Sequence, residues 1–393
     1  VKEKTSSDYR QAFGNIFSKI NSGLNYLEWA DIYKKIISWE IKIDKSETHE
    51  MSEILSMQKS EANIEFSKFI ERNYVDWLYD ETDAAPIMSH NLLREKVFEH
   101  IDEKPTFLLV LDNLRFDQWK ILEPIFSELF RVDEEDTFYS ILPTATQYSR
   151  NAIFSGLMPS EIQEYYPEWW LNDNEKGGKN QFENELLTEQ LRRTFQKPPK
   201  HDYYKIINTH HANSLRDNIH NCLNNQLTVI VYNFIDMLSH ARTEMEILKQ
   251  LAGDESAYRS ITRSWFLHSP LWEALREIAK KDIRLFVTTD HGTIRVHQPS
   301  KVIGDRETTT NLRYKVGKNL QFDKRDVLTV RNPKDALLPC PNVSSKFIFA
   351  KEDKFFLYPN NYNHYKNYYK NTFQHGGISL EEVICPIIRL SPK

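Results

Sequence analysis

Three apolar runs of the chain end in side chains that commonly bind metal ions. Asp112 follows one run, Asp290 and His291 follow a second, and Asp236 follows the third, with His240 four residues later. The runs are rich in Val, Ile, Leu and Phe, which is typical of buried strands. In open α/β sheets, ligands meet the polar groups at the carboxyl ends of strands. Carboxylates and imidazoles without thiolates suit catalytic zinc or manganese, so we predict a metal site at this edge of a sheet.

A further candidate ligand is His375, which stands in the motif Gln374-His-Gly-Gly377. Three Asp and three His are enough for two metal ions, and a pair of ions roughly 3.5–4 Å apart can serve an in-line displacement at phosphorus. That reaction needs an oxygen nucleophile. Thr144 and Thr146 both precede a predicted helix, whose first N–H groups would favour a phosphate. Thr146 is nearer to the predicted helix start, but residue types alone do not choose between the two hydroxyls.

Each of these residues also has a simpler interpretation. An acid such as Asp112 after an apolar strand is often a helix N-cap. Asp236 and His240 lie one helical turn apart, and such pairs are often surface hydrogen bonds. His210 and His211 are adjacent too, but no apolar run brings them to a strand end, so we predict a structural role for them. The joint occurrence of ligands at several strand ends favours the metal site over these separate roles.

The composition is that of an ordinary globular protein without a basic field for nucleic acids. The 393 residues are 40% hydrophobic and 27% charged, with a formal net charge of −5. The three cysteines are far apart, which indicates reduced thiols and a cytoplasmic location. No apolar run approaches the roughly 20 residues that span a bilayer, so we expect no membrane insertion. Because the sequence starts at Val1, we expect a fragment of a longer protein.

The elements that position the candidate ligands change in character near residue 100. Residues 1–100 have apolar positions three and four apart and three predicted core anchors, Trp29, Trp39 and Trp77. They predict an α-helical linker or dimerisation bundle. Residues 101–393 alternate strands with helices, which predicts an α/β domain of three layers with a mostly parallel sheet.

Two segments of the α/β region have predictions of their own. The stretch 160–200 interrupts the alternation and predicts an insert or lid whose rings stack on bases, although ordinary aromatic packing is the commoner role for such rings. Its aromatic residues are Tyr165, Tyr166, Trp169 and Trp170. Two apolar runs, 346–350 and 355–358, flank a polar tetrapeptide and predict a β-hairpin.

Taken in order, these residues resemble the alkaline phosphatase superfamily and, more narrowly, its PglZ-type branch. The resemblance covers about residues 100–393 and is carried by Leu111–Arg115, Leu142–Arg150, Arg313–Leu320 and Gln374–Val383. The helical segment before it is similar to PorX-type response regulators of type IX secretion, in which a receiver domain precedes a helical bundle and a PglZ domain. No receiver is present in this sequence, so we interpret the chain as the effector part of such a regulator.

The resemblance implies a role for each candidate residue. Thr146 matches the position of the nucleophile. The sulfatases of the superfamily carry a Cys- or Ser-x-Pro-x-Arg motif that is missing here, which disfavours sulfate-ester hydrolysis. The implied ligands are Asp112, Thr146, Asp290 and His291 for the first metal, and Asp236, His240 and His375 for the second.

The resemblance implies a phosphodiesterase that acts on nucleotide or oligonucleotide phosphodiesters, and the Asp/His set predicts two Zn²⁺ per chain. The resemblance implies the effector of a two-component response regulator that controls type IX secretion. Its implied partners are a sensor kinase and secretion-system or transcription-regulator proteins, with a homodimer when the full-length protein is phosphorylated. Two alternatives stay open: a signalling or protein-interaction module with a structural or vestigial metal centre, and a phosphomonoesterase that shares the same site.

Overall fold

The computed structural model describes residues 2–46, 49–101, 103–233, 254–306 and 308–393. The chain divides into two compact units, which are described separately below. The predicted division into a bundle at 1–100 and an α/β domain at 101–393 stays a prediction. The first unit comprises Val1–Pro86, Ile294–Ala336 and Cys340–Glu382, and the second comprises Ile87–Thr293, Leu337–Pro339 and Val383–Lys393.

The α-helices of the described residues are numbered in chain order. None of them is long and apolar enough to cross a membrane. They are α1 (Lys2–Ile20), α2 (Tyr26–Ser46), α3 (His49–Leu78), α4 (Leu92–Lys96), α5 (Phe116–Phe126), α6 (Thr146–Ser155), α7 (Pro159–Tyr165), α8 (Glu183–Thr194), α9 (Thr209–Asn218), α10 (Glu255–Leu267), α11 (Pro270–Ile278), α12 (Tyr362–Tyr369) and α13 (Leu380–Val383).

The strands of the described residues are numbered in the same way. They are β1 (Thr106–Leu111), β2 (Phe130–Tyr139), β3 (His201–Ile206), β4 (Leu227–Tyr232), β5 (Arg284–Thr288), β6 (Ile294–Arg295), β7 (Gln298–Lys301), β8 (Tyr314–Gly317), β9 (Val327–Val330), β10 (Lys346–Ala350), β11 (Lys354–Leu357), β12 (Phe373–Gln374) and β13 (Ile384–Pro392).

The second unit is built on a six-stranded sheet in the order β2-β13-β5-β1-β4-β3. The strands β5, β1, β4 and β3 run parallel, whereas β13 is antiparallel to both β5 and β2. All residues of β1 and β4 are buried, as expected for parallel strands covered on both faces. The α/β fold class with a mostly parallel sheet is therefore confirmed.

Helices cover both faces of this sheet. On β2, Glu135 accepts a hydrogen bond of 3.0 Å from Trp119 Nε1 of α5. Its neighbours Glu134 and Asp136 pair instead with Lys96 of α4, at 2.6 and 2.5 Å. Because successive side chains of a strand point to opposite faces, α4 and α5 lie on opposite sides of the sheet. Side chains of α4, α6 and α8 form one apolar core with Leu108, Val110, Val229 and Val231.

In the first unit, α1, α2 and α3 pack through aromatic side chains. The ring of Trp29 in α2 lies 5.4 Å from that of Phe66 in α3, and the ring of Tyr9 in α1 lies 5.5 Å from that of Trp39 in α2. Trp29 and Trp77 are buried, as predicted for core anchors, while Trp39 is only half-buried. Burial of such large rings contributes favourable free energy to the bundle.

The strands of the first unit form three small sheets. One is antiparallel with the order β8-β10-β9, and two are the pairs β11-β7 and β12-β6. The predicted hairpin of β10 with β11 is wrong, because β10 pairs with β8 and β9 while β11 pairs in parallel with β7. The apolar runs were read correctly as strands, but their partners lie far away in the sequence.

Candidate active site

Asp112 stands at the carboxyl end of β1, where the chain turns sharply. The strand pairing continues one residue further, since the main-chain N–H of Asp112 donates to Tyr232 O at 3.0 Å. Asn113 then adopts a left-handed conformation with φ of 63°, which asparagine tolerates better than most residues. This turn directs the N–H of Asn113 to Asp290 Oδ1 at 3.0 Å. The turn thus ties Asp112 to the end of the neighbouring strand β5.

Asp290 and His291 follow β5 and are fully buried. Burial alone would raise the pKa of the Asp290 carboxyl, but the charges of His291 and Arg150, together with hydrogen bonds, hold that pKa below its usual value. His291 Nδ1 lies 2.9 Å from Gly292 O. A carbonyl oxygen only accepts hydrogen bonds, so we infer that Nδ1 carries the proton. Nε2 is then the ring nitrogen that faces Thr146 Oγ1.

Thr146 is the first residue of α6, after the N-cap residue Ala145. Its Oγ1 lies 3.1 Å from His291 Nε2 and 3.4 Å from Asp112 Oδ1. Thr144 is fully buried, whereas Thr146 keeps some exposure. The structure therefore places the hydroxyl of Thr146 between an imidazole nitrogen and a carboxylate oxygen at the edge of the sheet.

The ligand atoms of Asp112, Asp290 and His291 all lie within 4.8 Å of one another, a spacing that can hold one metal ion. Among the described residues, no group hydrogen-bonds the buried Asp290 Oδ2, which lies 3.5 Å from His291 Nε2. A buried carboxylate oxygen without a donor is costly unless a cation satisfies it. This oxygen and His291 Nε2 fit a divalent metal with oxygen and nitrogen ligands.

Arg150 provides a fixed positive charge beside this cluster. It lies one helical turn after Thr146 on α6, with its Nη1 3.4 Å from Asp112 Oδ1 and 3.2 Å from Asn233 Oδ1. Its Nε donates to Glu183 Oε1 at 2.6 Å. Burial works against the charged guanidinium, but Glu183 and Asp112 raise the pKa of Arg150 above its usual value. The side chain is therefore a permanent cation that orients Asp112.

Among the described residues, the cluster that could hold a metal ion consists of Asp112, Asp290 and His291. Asp236 and His240 lie outside the described residues. His375 is in the first unit, directly after β12. The glycines that follow it are needed there, because a Cβ on Gly376 would meet Tyr314 and one on Gly377 would stand 2.5 Å from Ala350 O.

The predicted insert at 160–200 packs mainly on itself and on α6. Trp170 is buried against Tyr148, with ring centroids 5.5 Å apart, and Trp169 stacks on Tyr166 at 4.9 Å. Tyr165 is exposed. The role of these rings as a base-stacking lid stays a prediction.

The same insert supplies polar contacts that sequence reasoning missed. Asn180 Nδ2 donates to Thr146 O at 3.0 Å, and Glu183 is the carboxylate that pairs with Arg150. Arg150 could have been identified from the sequence, because it lies one helical turn after Thr146 and therefore on the same face of α6. Glu183 and Asn180 had none, because they stand more than thirty residues away in the sequence.

A parallel-rich sheet with an Asp/His cluster and a threonine at its carboxyl edge defines the class of alkaline phosphatase-like phosphoric ester hydrolases. Residues 92–390 match the family described as the BREX system PglZ alkaline phosphatase-like domain, and the chain belongs to this family. Residues 1–78 match the PorX response regulator linker domain. The resemblance seen in the sequence motifs is thus confirmed. Members of the alkaline phosphatase superfamily are metal-dependent, and the Asp/His cluster of this chain can hold a metal ion.

Solved structures of low sequence identity are similar to this chain. Human ectonucleotide pyrophosphatase/phosphodiesterase 5 has a TM-score of 0.44 at 10% identity, covering 73% of this chain and 87% of its own. The murine protein has a TM-score of 0.44 at 10% identity, covering 72% and 88%. Phosphonoacetate hydrolase from Sinorhizobium meliloti 1021 has a TM-score of 0.36 at 11% identity, covering 73% and 89%. A comparison with curated proteins gives no match.

Proposed function

We propose that this protein is a zinc-dependent phosphodiesterase that hydrolyses nucleotide or oligonucleotide phosphodiesters, with Thr146 as its nucleophile. The observation that carries the proposal is the position of Thr146 Oγ1, 3.1 Å from His291 Nε2 and 3.4 Å from Asp112 Oδ1. A hydroxyl at a helix start beside two metal-type ligands is placed to attack a phosphate held at the same helix end.

The residues for two zinc ions fall into two proposed sets. Asp112, Thr146, Asp290 and His291 would hold the first ion, and the buried Asp290 Oδ2 supports that set. The second set is Asp236, His240 and His375. When bound, zinc would supply a Lewis acid that lowers the pKa of an oxygen ligand and stabilises negative charge on the phosphoryl oxygens.

The chain's own residues account for the covalent steps. The Oγ1 of Thr146 forms a bond to phosphorus while the bond from phosphorus to one ester oxygen breaks. That oxygen keeps the bonding electron pair and takes up one proton, so an alcohol leaves and a phosphothreonine diester remains. Water then attacks phosphorus, and Thr146 regains its proton as the monoester is released. The single proton of the Thr146 hydroxyl can be donated to Asp112 Oδ1 or to His291 Nε2, so these two atoms orient the hydroxyl for the first step.

The match of residues 1–78 to the PorX linker supports a regulatory setting. We propose that the enzyme is the effector of a two-component response regulator of type IX secretion in the cytoplasm. A sensor kinase and secretion-system or transcription-regulator proteins would be its partners, and phosphorylation of the full-length protein would favour a homodimer through the helical part. The division into a bundle at 1–100 and a catalytic domain at 101–393 belongs to the same proposal.

Three variants test the nucleophile. Thr146→Val keeps the volume but removes the hydroxyl, so we expect loss of diesterase activity by several orders of magnitude. Thr146→Ser keeps a hydroxyl and should retain measurable activity. Thr144→Val is the matched control two residues away and should lose far less. The rates of bis(p-nitrophenyl) phosphate and p-nitrophenyl phosphate hydrolysis, with zinc content, are measured on each protein.

The outcomes separate the proposed enzyme from its alternatives. Full activity in Thr146→Val would refute the nucleophile. A wild type that cleaves only p-nitrophenyl phosphate would be a phosphomonoesterase. A wild type with zinc bound and no activity on either ester would be the signalling module with a structural metal centre.

A further inference from the structure

Tyrosines are concentrated in one short stretch of the first unit. Five of the 19 tyrosines of the chain fall within residues 358–369, where asparagine and lysine are also frequent. Residues 354–380 contain no Asp or Glu, although the whole chain has a formal net charge of −5. An acid-free stretch with several lysines creates a local positive field in a chain that is acidic as a whole.

Most of this tyrosine-rich stretch belongs to helix α12, which packs on an apolar core through one side. Tyr362 and Tyr369 pack against a cluster of buried side chains that includes Phe355 of β11. Tyr365 and Tyr368 are instead 40% and 52% exposed. Packing in the core therefore explains two of the four rings of the helix and leaves the other two at the surface.

The exposed rings of α12 form one continuous flank of the helix. At 3.6 residues per turn, His364, Tyr368 and Tyr365 lie within about 100° of one another around the helix axis. The ring of His364 lies 6.2 Å from that of Tyr368 at an interplanar angle of 23°. The ring of Tyr365 lies 6.0 Å from that of Tyr369 at 18°. Rings held nearly parallel in this way offer flat apolar faces on which bases can stack.

The rest of the exposed side of α12 carries amides and cations. By the same helical spacing, Asn367 and Asn363 lie next to His364 around the axis. Lys370 and Lys366 lie beyond these amides. The order around the helix is therefore rings, amides and cations. A nucleotide presents the matching order of base, sugar and phosphate.

Neighbouring strands add positive charge at both ends of α12. Lys301 Nζ of β7 lies 5.2 Å from the centroid of the Tyr362 ring, at the first turn of the helix. Arg295 Nε of β6 donates to Asn371 O at 3.3 Å, just after the last turn. These two strands and their partners β11 and β12 contain no Asp or Glu. The charge of this surface thus complements a polyanion along the whole length of the helix.

We propose that the exposed side of α12 binds single-stranded nucleic acid, with bases stacked on Tyr365 and Tyr368 and phosphates on the side of Lys370. The strand is single because the bases of a duplex are stacked on each other and their faces are not available to protein rings. Tyrosine hydroxyls and amides favour this partner over a lipid surface, since helices that lie in membranes bury Trp, Phe and Leu. The inference goes beyond the proposed function, because it assigns a surface for the intact strand.

Fluorescence anisotropy with labelled oligothymidine and oligouridine strands tests the proposal. The protein is the full chain with Thr146→Val, so the strands stay intact if the chain is a diesterase. We expect both strands to bind, because stacking and phosphate contacts are common to DNA and RNA, and the tighter of the two identifies the preferred nucleic acid. A duplex of the same length should bind more weakly.

Tyr365→Ala and Tyr368→Ala are the informative variants. Each removes one exposed ring, so each should weaken binding by about tenfold or more, the usual loss for one stacked base. An unchanged Tm shows that the fold is retained. Phe17→Ala is the matched control, because Phe17 is a 46% exposed ring of helix α1 that stacks on Phe13. It should leave the affinity unchanged.

Lys370→Gln tests the placement of the phosphates. Each phosphate contact to a single strand contributes about 0.7 to the slope of log K against log salt, so the slope of this variant should be shallower by about that amount. Lys281→Gln is the control, because Lys281 is an exposed lysine of the second unit, and its slope should equal that of the parent protein. An unchanged slope in Lys370→Gln would overturn the placement of phosphates on this side.

Three results would overturn the proposal as a whole: no binding of either strand, full affinity in both tyrosine variants, or tighter binding of the duplex than of the single strands. Co-sedimentation with vesicles of phosphatidylcholine and phosphatidylserine that Tyr365→Ala abolishes, without binding of oligonucleotides, would assign the surface to an anionic membrane instead. Hydrolysis is measured separately on the wild type. A wild type that cleaves no ester refutes the proposed function and leaves the binding result standing.

Discussion

The buried side chain of Arg150 pairs with two carboxylates at the candidate site. It is completely buried, and its positive charge is balanced by Glu183 at 2.6 Å and by Asp112 at 3.4 Å. Removing one partner of a buried pair leaves the other charge without compensation in a medium of low polarity. The energetic penalty therefore comes from the group that remains rather than from the bond that is lost.

A double-mutant cycle at this pair tests that account. Arg150→Met should lower the free energy of unfolding by about 3–5 kcal/mol, because Glu183 is then a buried, uncompensated carboxylate. Adding Glu183→Gln removes the charge and keeps a partner for Tyr203, so the double variant should recover part of the loss. Urea unfolding of the wild type, both single variants and the double variant gives the coupling free energy between Arg150 and Glu183. Strictly additive losses would contradict a direct interaction between Arg150 and Glu183.

Lys315 in β8 of the first unit is buried, and desolvation lowers its pKa from 10.5 to about 7. Its Nζ donates to Thr309 O at 2.8 Å and lies 4.4 Å from the centroid of the Tyr358 ring. Between the two pKa values the unfolded chain binds more protons than the folded one. Stability therefore rises with pH in this window, and below about pH 7 the full penalty of burying the cation remains.

We expect the stability contributed by Lys315 to rise by about 1.4 kcal/mol per pH unit between about pH 7 and pH 10. Lys315→Met has no titrating group there, so its free energy of unfolding should lack this slope. The measurement is the difference in urea-unfolding free energy between the two proteins at pH 7, 8 and 9. A difference that does not change with pH would show that Lys315 is not held neutral.

At the scale of elements, the loop after β12 is shaped by glycine and by one buried ion pair. Arg313 Nε donates to Glu382 Oε2 at 3.3 Å, and the N–H of Gly377 donates to the same oxygen at 2.8 Å. A Cβ on Gly377 would stand 2.5 Å from Ala350 O and 2.8 Å from Arg313 Cζ. The two sequence phrases around Arg313 and Gly377 are thus joined in one structural feature.

Two glycine substitutions separate this packing requirement from simple backbone flexibility. Gly377→Ala should destabilise the protein by about 3 kcal/mol, since its nearest obstacle is a main-chain oxygen that cannot move aside. Gly14→Ala is the control in exposed helix α1, where a Cβ meets nothing within 4 Å, and should stabilise by about 0.5–1 kcal/mol. Thermal unfolding should therefore show a lower Tm for Gly377→Ala and a higher Tm for Gly14→Ala. Equal Tm shifts in the two variants would contradict the stated cause.

The elements near the site were predictable because local patterns define them. The apolar runs of β1 and β5 followed by Asp112 and Asp290 indicated both strands and both ends, and the Thr146 hydroxyl lies where the helix-start pattern placed it. The pairing of β10 and Glu183's contact with Arg150 were not predictable, because both depend on residues brought together only by the fold. A single sequence indicates where a strand forms but not which strand pairs with it.

At the scale of the whole molecule, metal content is the test of the complete ligand set. We expect about two zinc ions per chain in protein purified without chelator. Asp290→Asn should reduce this to about one, since its buried carboxylate belongs to the first set, and His375→Ala should remove the other ion. Elemental analysis gives the count, and thermal unfolding should show a lower Tm after chelation because zinc binds the folded state. Folded protein without stoichiometric metal would contradict the prediction.

The strand β13 is both an inner strand of the sheet and the last of its strands to be translated. It hydrogen-bonds β5 on one side and β2 on the other, and β2 joins the sheet only through it. While the polypeptide grows on the ribosome, β5 is therefore an edge strand with apolar side chains and open main-chain groups. Such edges recruit strands from neighbouring chains. A chain that ends before Ile384 lacks β13, so its β5 has no antiparallel neighbour and its β2 has no partner in this sheet.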